Sequence, residues 1–410
     1  MAIQKKIPEV LAPAGDFERL VAALTFGADA VYLGGKEFGM RATPQNFDRQ
    51  QMKQAVELAH SKGVPVYVTC NTLPSNDEIQ RLPDYLHFLA DVGVDALIVA
   101  DIGVLMLCKR EIPEMEIHMS TQTGIVNYLT ANELYRLGVK RVVLARELSL
   151  DAIREIREKT PPDLEIEAFV HGAMCMSFSG RCLLSSYMTH RDANRGACAQ
   201  PCRWGYYLME EKRPGEYYKL EEDEKGSYIL NAKDLCMIEH IDKLVQAGIT
   251  SLKIEGRAKS AYYVSVVTNA YRCAVDQYLR DPAHFQLDSW LLEEVKKVSH
   301  RQYSTGFYFG RPEQGQYYEN GGYIRSFDVI GVVRRWEDGV LYGEQRNKFG
   351  EGDWIEVLPP RNQAERLQVR ELKDGAGEPI DSAPHAAMEF SFACERPFPP
   401  GSILRKKVAI

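Results

Sequence analysis

Nowhere does the 410-residue chain approach the roughly 18 to 20 consecutive apolar residues that a membrane-spanning helix needs, so no span is expected. The first residues, Met-Ala-Ile-Gln-Lys-Lys-Ile-Pro, lack the apolar core of a secretory leader and run directly into strand-like Glu9-Val-Leu-Ala-Pro13. A cytoplasmic protein without membrane contact is the expectation, in a compartment where thiols stay reduced. Basic excess is also missing. With a formal net charge of −7, no global field draws in nucleic acid, and any RNA must be held by a local patch. The chain has neither the His-Glu-x-x-His of zinc peptidases nor the Gly-x-Ser-x-Gly of serine hydrolases. After the first strand stands Ala12-Pro-Ala-Gly15, which is no dinucleotide fingerprint. Tight Cys-x2-Cys pairs are absent too, which excludes the zinc-ribbon spacing and the clustered runs of ferredoxins.

What is present begins with an ordinary globular composition, 45% hydrophobic and 26% charged, on a chain long enough for one large and one small domain. A unit recurs in which an amphipathic helix ends at Gly and a short, continuously apolar strand follows. Its copies include Phe26-Gly-Ala-Asp-Ala-Val-Tyr-Leu-Gly34, Val92-Gly-Val-Asp-Ala-Leu-Ile-Val-Ala-Asp101, Leu137-Gly-Val-Lys-Arg-Val-Val-Leu-Ala-Arg146 and Ala247-Gly-Ile-Thr-Ser-Leu-Lys-Ile-Glu-Gly256. Gly supplies the left-handed helix cap, and an unbroken apolar strand is what a parallel sheet buried on both faces requires.

Eight such strands are predicted: Val10–Ala12, Ala30–Leu33, Val66–Thr69, Ala96–Ala100, Glu116–Met119, Arg141–Ala145, Leu164–Val170 and Ser251–Ile254. Eight parallel strands predict a closed (β/α)8 TIM-like barrel rather than an open doubly wound sheet. The interval from about 171 to 250 far exceeds a normal βα connection and reads as a Cys-rich insertion after the seventh strand, on the working face. It includes a predicted hairpin, Gly205-Tyr-Tyr-Leu-Met against Glu216-Tyr-Tyr-Lys-Leu. Residues 1–300 are therefore assigned to the barrel with its insertion. Residues 301–410, with short strand-like runs such as Tyr323-Ile-Arg, Val329–Val333, Trp354–Leu358, Leu367–Leu372 and Ile403–Lys407, are assigned to a small C-terminal β-barrel domain.

Five of the nine cysteines fall between Cys175 and Cys236, spaced C-x6-C-x15-C-x3-C-x33-C. Clustered thiols in a reducing compartment are more often metal ligands or redox groups than disulfides. Four of the five suffice for a tetrahedral donor set, and Cys175, Cys182, Cys198 and Cys236 are chosen, with Cys202 as the alternative. Spacing alone does not name the metal. Their neighbours Ser179, Gly180, Arg181, Arg191, Asp192, Arg195 and Gly196 are polar and loop-like. Cys70, Cys108, Cys273 and Cys394 are scattered through strands and helices and read as small core residues, with Cys70 the one that has a chance of facing the site. At predicted strand ends stand Asp101, Gln122, Arg146, Glu147, His171, Glu255 and Arg257. A barrel places catalytic groups there, although rim salt bridges collect at the same positions. From this set Glu255, Arg257, His171 and Arg146 are taken as the catalytic candidates.

The segment Glu167-x-Phe-x2-Gly-Ala-Met-Cys175-x4-Gly-x-Cys182-x-Leu-Ser185 resembles the signature of the collagenase-like peptidase family U32. Glu9-Val-Leu-Ala-Pro-Ala-Gly15, Gly196-Ala-Cys-Ala-Gln-Pro-Cys-Arg203, Asn231-Ala-Lys-Asp-Leu-Cys236, Lys253-Ile-Glu-Gly-Arg257 and Ser304-Thr-Gly-Phe307 extend the resemblance over nearly the whole chain. The family name implies proteolysis. Many bacterial members, however, resemble tRNA-modifying proteins that support prephenate-dependent hydroxylation of the wobble uridine to 5-hydroxyuridine. Several carry an iron–sulfur cluster, of the 4Fe-4S type, on four cysteines, and by that resemblance Cys175, Cys182, Cys198 and Cys236 would hold one here. The resemblance thus implies tRNA and prephenate as partners, with a paired family member or a second copy of the chain completing the assembly in some relatives.

Chemistry favours hydroxylation over peptide cleavage. A peptidase needs one activated nucleophile or metal-bound water, and no Cys/His pairing is evident beyond Cys175 near His171. Hydroxylating an unactivated pyrimidine carbon needs redox chemistry that side chains do not supply. Prephenate is a dicarboxylate, which arginine forks such as Arg146 and Arg257 suit. A collagenase-like peptidase and a zinc-tied, non-catalytic binding protein are the second and third readings.

Overall fold

The computed structural model describes residues 7–39, 46–175, 179–180, 182–191, 193, 196–204, 207–208, 215, 218–219, 233–310 and 323–408. Among the sequence-marked positions, Arg181, Asp192 and Arg195 lie outside the described residues.

Seven strands alternate with helices along the first half of the chain: β1 (Glu9–Ala14), β2 (Ala30–Gly34), β3 (Val66–Cys70), β4 (Ala96–Val99), β5 (Glu116–Met119), β6 (Arg141–Val143) and β7 (Glu165–Ala173). Each pairs in parallel with the next, as in Val31 opposite Val66 and Met119 opposite Val142. The closing strand, Ser251–Ile254, pairs in parallel with both β1 and β7, and the eight strands form a closed TIM-like barrel. Helices start where short polar side chains satisfy their first amide groups. Asp16 caps Phe17–Thr25, Asp48 caps Arg49–Ser61 and Ser260 caps Ala261–Arg280. Among the described residues, no helix is long and apolar enough to cross a membrane.

Strand alternation sorts side chains between two interiors. On β3, Val66, Val68 and Cys70 join the large core between strands and helices, while Tyr67 points into the barrel with Leu11, Ala30, Tyr32, Ala96 and Ile98. The other side of the barrel interior is charged. Arg141 reaches Glu9 at 2.7 Å, Glu165 at 2.6 Å and Glu167 at 3.1 Å, and the Tyr67 hydroxyl donates to Glu9 at 2.8 Å.

Strand β7 outgrows the barrel. Its register slips against the closing strand between Lys253 and Ile254, after which His171–Ala173 pairs antiparallel with Asp234–Cys236. That strand pairs in turn with Tyr303–Ser304, so the barrel sheet carries a small extension at its rim. Between Ala173 and Asp234 lies the insertion, in which Tyr207–Leu208 pairs antiparallel with Tyr218–Lys219, within the predicted hairpin.

The C-terminal domain is an antiparallel sheet of seven strands, from Phe327–Glu337 to Ile403–Lys407 in chain order, around its own core of Ile330, Leu341, Phe390, Phe392 and Leu404. Tyr323-Ile-Arg, expected as a strand, forms only a bridge from Ile324 to His300. The domain is locked to the barrel by Arg405, which is fully buried and paired with Glu294 and, at 2.6 Å, Glu356. Asn269 on the long helix adds a hydrogen bond to the Asn362 carbonyl at 2.9 Å.

Candidate active site at the barrel mouth

The carboxyl ends of the barrel strands surround a cavity of about 180 Å³. Tyr32, Thr69, Ile98, Phe169 and Lys253 line it from the strands, and Asn71, Gln122, Arg146, Glu255 and Arg257 from the segments just beyond them. This is the face where a barrel presents catalytic groups.

Three cations converge there, each fixed by a different device. Arg146 donates to Glu255 at 3.1 Å, and its guanidinium stacks 3.9 Å from the Phe169 ring centre. Arg257, almost wholly buried, donates to the Thr69 hydroxyl at 3.0 Å and to the Asn46 side-chain oxygen at 2.6 Å. Space for it is made by glycines. A Cβ at Gly34 would overlap the Arg257 guanidinium, and one at Gly15 would overlap its backbone carbonyl. Lys253 is also buried. Its ammonium lies 2.5 Å from Glu167 and 4.5 Å from the Tyr32 ring centre. Burial raises the proton affinity of Glu167, but Lys253 and Arg141 outweigh it and hold the carboxyl below its ordinary range.

The insertion closes over this floor. The Ser179 amide donates to Glu147 at 3.0 Å, and Gly180 takes φ +73° with its α-carbon pressed so close to the Gln122 carbonyl that a Cβ would overlap it. Cys175, Cys182 and Cys198 all line the cavity. Cys236 lies outside that lining, on the strand paired with β7, directly opposite His171; burial pushes its thiol up to about 12. Cys202 sits half-buried in the short turn Pro201–Arg203, also outside the lining. Among the described residues, no group of three or more His, Cys, Asp or Glu side chains is arranged to hold a single metal ion.

Of the other predicted positions, Asp101 is a helix cap, accepting from Val104 at 3.0 Å, and Glu147 anchors the insertion. His171 does not meet Cys175 at the cavity. It is buried beside Tyr263, Tyr271 and Tyr303, with Nε2 3.3 Å from the Tyr303 hydroxyl. Burial, with His300 and Lys259 nearby, lowers its pKa to about 3, so it is a neutral imidazole. Gln122 lines the cavity, and its side-chain oxygen is buried with no hydrogen-bond partner among the described residues. Cys70 does not face the site: it belongs to the outer core, because Thr69 takes the inward place in the alternation. Cys108 and Cys394 are core residues as expected. Sequence reasoning passed over Lys253, Glu167 and Arg141. The signal was available, since each is a charge within a strand otherwise apolar enough to be buried on both faces.

Residues 15–317 match the sequence signature of peptidase family U32, and residues 325–405 match that of the U32 C-terminal domain. A tRNA hydroxylation protein P1 of Bacillus subtilis is 39% identical over 404 residues, covering 98% of this chain and 95% of its own length. The tRNA hydroxylation protein P of Escherichia coli is 36% identical over 421 residues, 92% of this chain and 91% of the relative. A collagenase of Porphyromonas gingivalis is 36% identical over 379 residues, 89% of this chain and 90% of that protein.

Proposed function

Because the chain belongs to peptidase family U32, we propose that it acts in tRNA hydroxylation, converting wobble uridine to 5-hydroxyuridine with prephenate as co-substrate and an iron–sulfur cluster as cofactor. The observation that carries this reading is the meeting of three thiols and three cations on one cavity at the barrel mouth.

The donors suit a cluster better than a lone ion. Thiolate is the soft ligand that iron–sulfur clusters select, and a cubane spreads its ligands further apart than one tetrahedral zinc does. Cys175, Cys182 and Cys198 would hold it, with Cys236 and Cys202 the two candidates for the fourth position. When bound, such a cluster supplies the one-electron chemistry that side chains lack. The chain's own groups do the rest. Arg146 and Arg257 offer planar forks to a dicarboxylate, and Lys253 adds a third positive charge at the cavity floor. Glu255 holds Arg146 in place, and Tyr32, Ile98 and Phe169 keep the floor apolar around the charges.

Peptide cleavage by a cysteine nucleophile would require an imidazole beside the thiol. Here Cys175 lines the cavity and the neutral His171 is turned toward Tyr303, so that pair is not assembled.

The deciding experiment is nucleoside mass spectrometry of tRNA from a strain lacking this gene. Loss of 5-hydroxyuridine, restored by the gene but not by Cys175→Ser, is expected; tRNA that keeps the modification in full rejects the reading. Protein purified without oxygen is expected to contain iron and to show sulfur-to-iron charge-transfer absorption. Gelatin cleavage that disappears with Cys175→Ala would instead establish the peptidase.

A further inference from the structure

We propose that the outer face of the insertion, formed by Leu183, Tyr187, Arg191 and Trp204, is the platform on which the single-stranded loop of an RNA is laid while one of its bases enters the cavity. This rests on the tRNA hydroxylation reading and assigns that substrate a surface.

Exposure comes first. Tyr187 is 87% exposed, Leu183 72% and Trp204 43%, all within one stretch of chain. Single exposed apolar residues need no explanation, but a cluster of large ones beside a functional cavity marks an interaction site. The platform is also held in place from below. The helix Leu184–Thr189 packs against the turn Pro201–Arg203, and the buried Ser185 hydroxyl accepts from the Ala199 amide at 2.9 Å. Tyr187 and Trp204 are therefore presented outward from two short elements that are tied together, rather than from independent loops.

Position and charge choose the occupant. Cys182 immediately precedes Leu183, and Cys198 lies six residues before Trp204; both thiols line the cavity, so the platform residues adjoin the cavity lining along the chain. In sequence, the stretch from Cys175 to Trp204 carries Arg181, Arg191, Arg195 and Arg203 against a single acidic residue, Asp192. A local positive segment in a chain of net charge −7 fits a polyanion. At about 180 Å³ the cavity has room on the scale of a single base and not of a folded polynucleotide, so the target base must leave its stack. Its neighbours then lose a stacking partner. Aromatic faces such as Tyr187 and Trp204 replace that partner without demanding a particular sequence.

The test is binding of a fluorescent anticodon stem–loop RNA, with uridine at the wobble position, to the full-length protein. Tyr187→Ala and Trp204→Ala are each expected to weaken binding about ten-fold, whereas Tyr187→Phe binds as the parent does. Arg191→Gln is expected to flatten the dependence of affinity on salt. Iron content and melting temperature report that the variants remain folded. If the parent binds and both alanine variants bind equally well, the platform is wrong and the hydroxylation reading stands. If the parent binds no RNA, both fall. Binding to gelatin that is lost with Tyr187→Ala would give this face to a protein partner and overturn the proposal.

Discussion

Lys253 and Glu167 face each other across the seam that closes the barrel, 2.5 Å apart on two strands whose remaining side chains are mostly apolar. Glu167 is fully buried and also meets Arg141 at 3.1 Å, so one carboxylate answers two buried cations. Replacing Glu167 with Gln keeps the shape and removes the charge. Breaking a buried pair in this way is expected to cost about 3 kcal/mol, read as a lower denaturant midpoint with an unchanged slope. The effect has a pH signature. Because the folded-state pKa of Glu167 lies below its ordinary value, the pair's contribution is present above the unfolded pKa of about 4.5 and is lost as pH falls through the folded value. The stability difference between parent and Glu167→Gln is therefore expected to shrink in acid; a difference that stays constant from pH 7 to pH 3 would refute this role.

Gly15 offers a test of how Arg257 is positioned. A methyl group there would overlap the Arg257 backbone carbonyl, and a carbonyl cannot swing aside as a flexible side-chain tip can. Gly15→Ala is expected to destabilise the barrel by roughly 1–3 kcal/mol, as overpacking does, and to shift Arg257 away from Thr69. The prediction fails if the variant melts with the parent and retains full tRNA hydroxylation.

The barrel could be read from the chain because its cue is repeated: each Gly-capped helix is followed by an apolar strand, and all eight predicted strands overlap the observed ones. The cavity could be read only in part. Strand ends pointed to Arg146, Glu255 and Arg257, and loop cysteines pointed to Cys175, Cys182 and Cys198, because a barrel gathers its strand ends and the loops beyond them at one mouth. Two features escaped for physical reasons. Whether Cys70 or Thr69 faces inward depends on strand parity, which a strand buried on both faces does not reveal. Asp234–Cys236 pairs with the overhang of β7, a long-range contact made possible by a register slip that no local pattern announces.

The thiols divide into two groups that serine substitutions should separate. Cys175→Ser, Cys182→Ser and Cys198→Ser are expected to lower iron in anaerobically purified protein to less than about a tenth of the parent, since a hydroxyl is a poor ligand for such a cluster. Cys108→Ser is expected to keep its iron while losing roughly 1–2 kcal/mol of stability, because it buries a hydroxyl in the apolar core. Comparing Cys202→Ser with Cys236→Ser identifies the fourth ligand. Full iron in all of the cavity variants would remove the cluster from the site.

Arg146 and Arg257 are both guanidinium groups at one cavity, yet they should respond differently to lysine. Arg257 uses separate nitrogens for Thr69 and Asn46, a division that one ammonium on a flexible stem does not reproduce. Arg146 lies over the Phe169 ring and reaches Glu255 with one nitrogen, and it lines the cavity. Arg257→Lys is therefore expected to lower stability and co-substrate affinity together. Arg146→Lys should spare stability and weaken prephenate binding about ten-fold, the loss expected when a bidentate contact becomes a point charge. Calorimetric titration with prephenate, run beside thermal melts, separates the two effects. Unchanged prephenate affinity in Arg146→Lys and in Arg146→Ala alike would show that the dicarboxylate is held elsewhere.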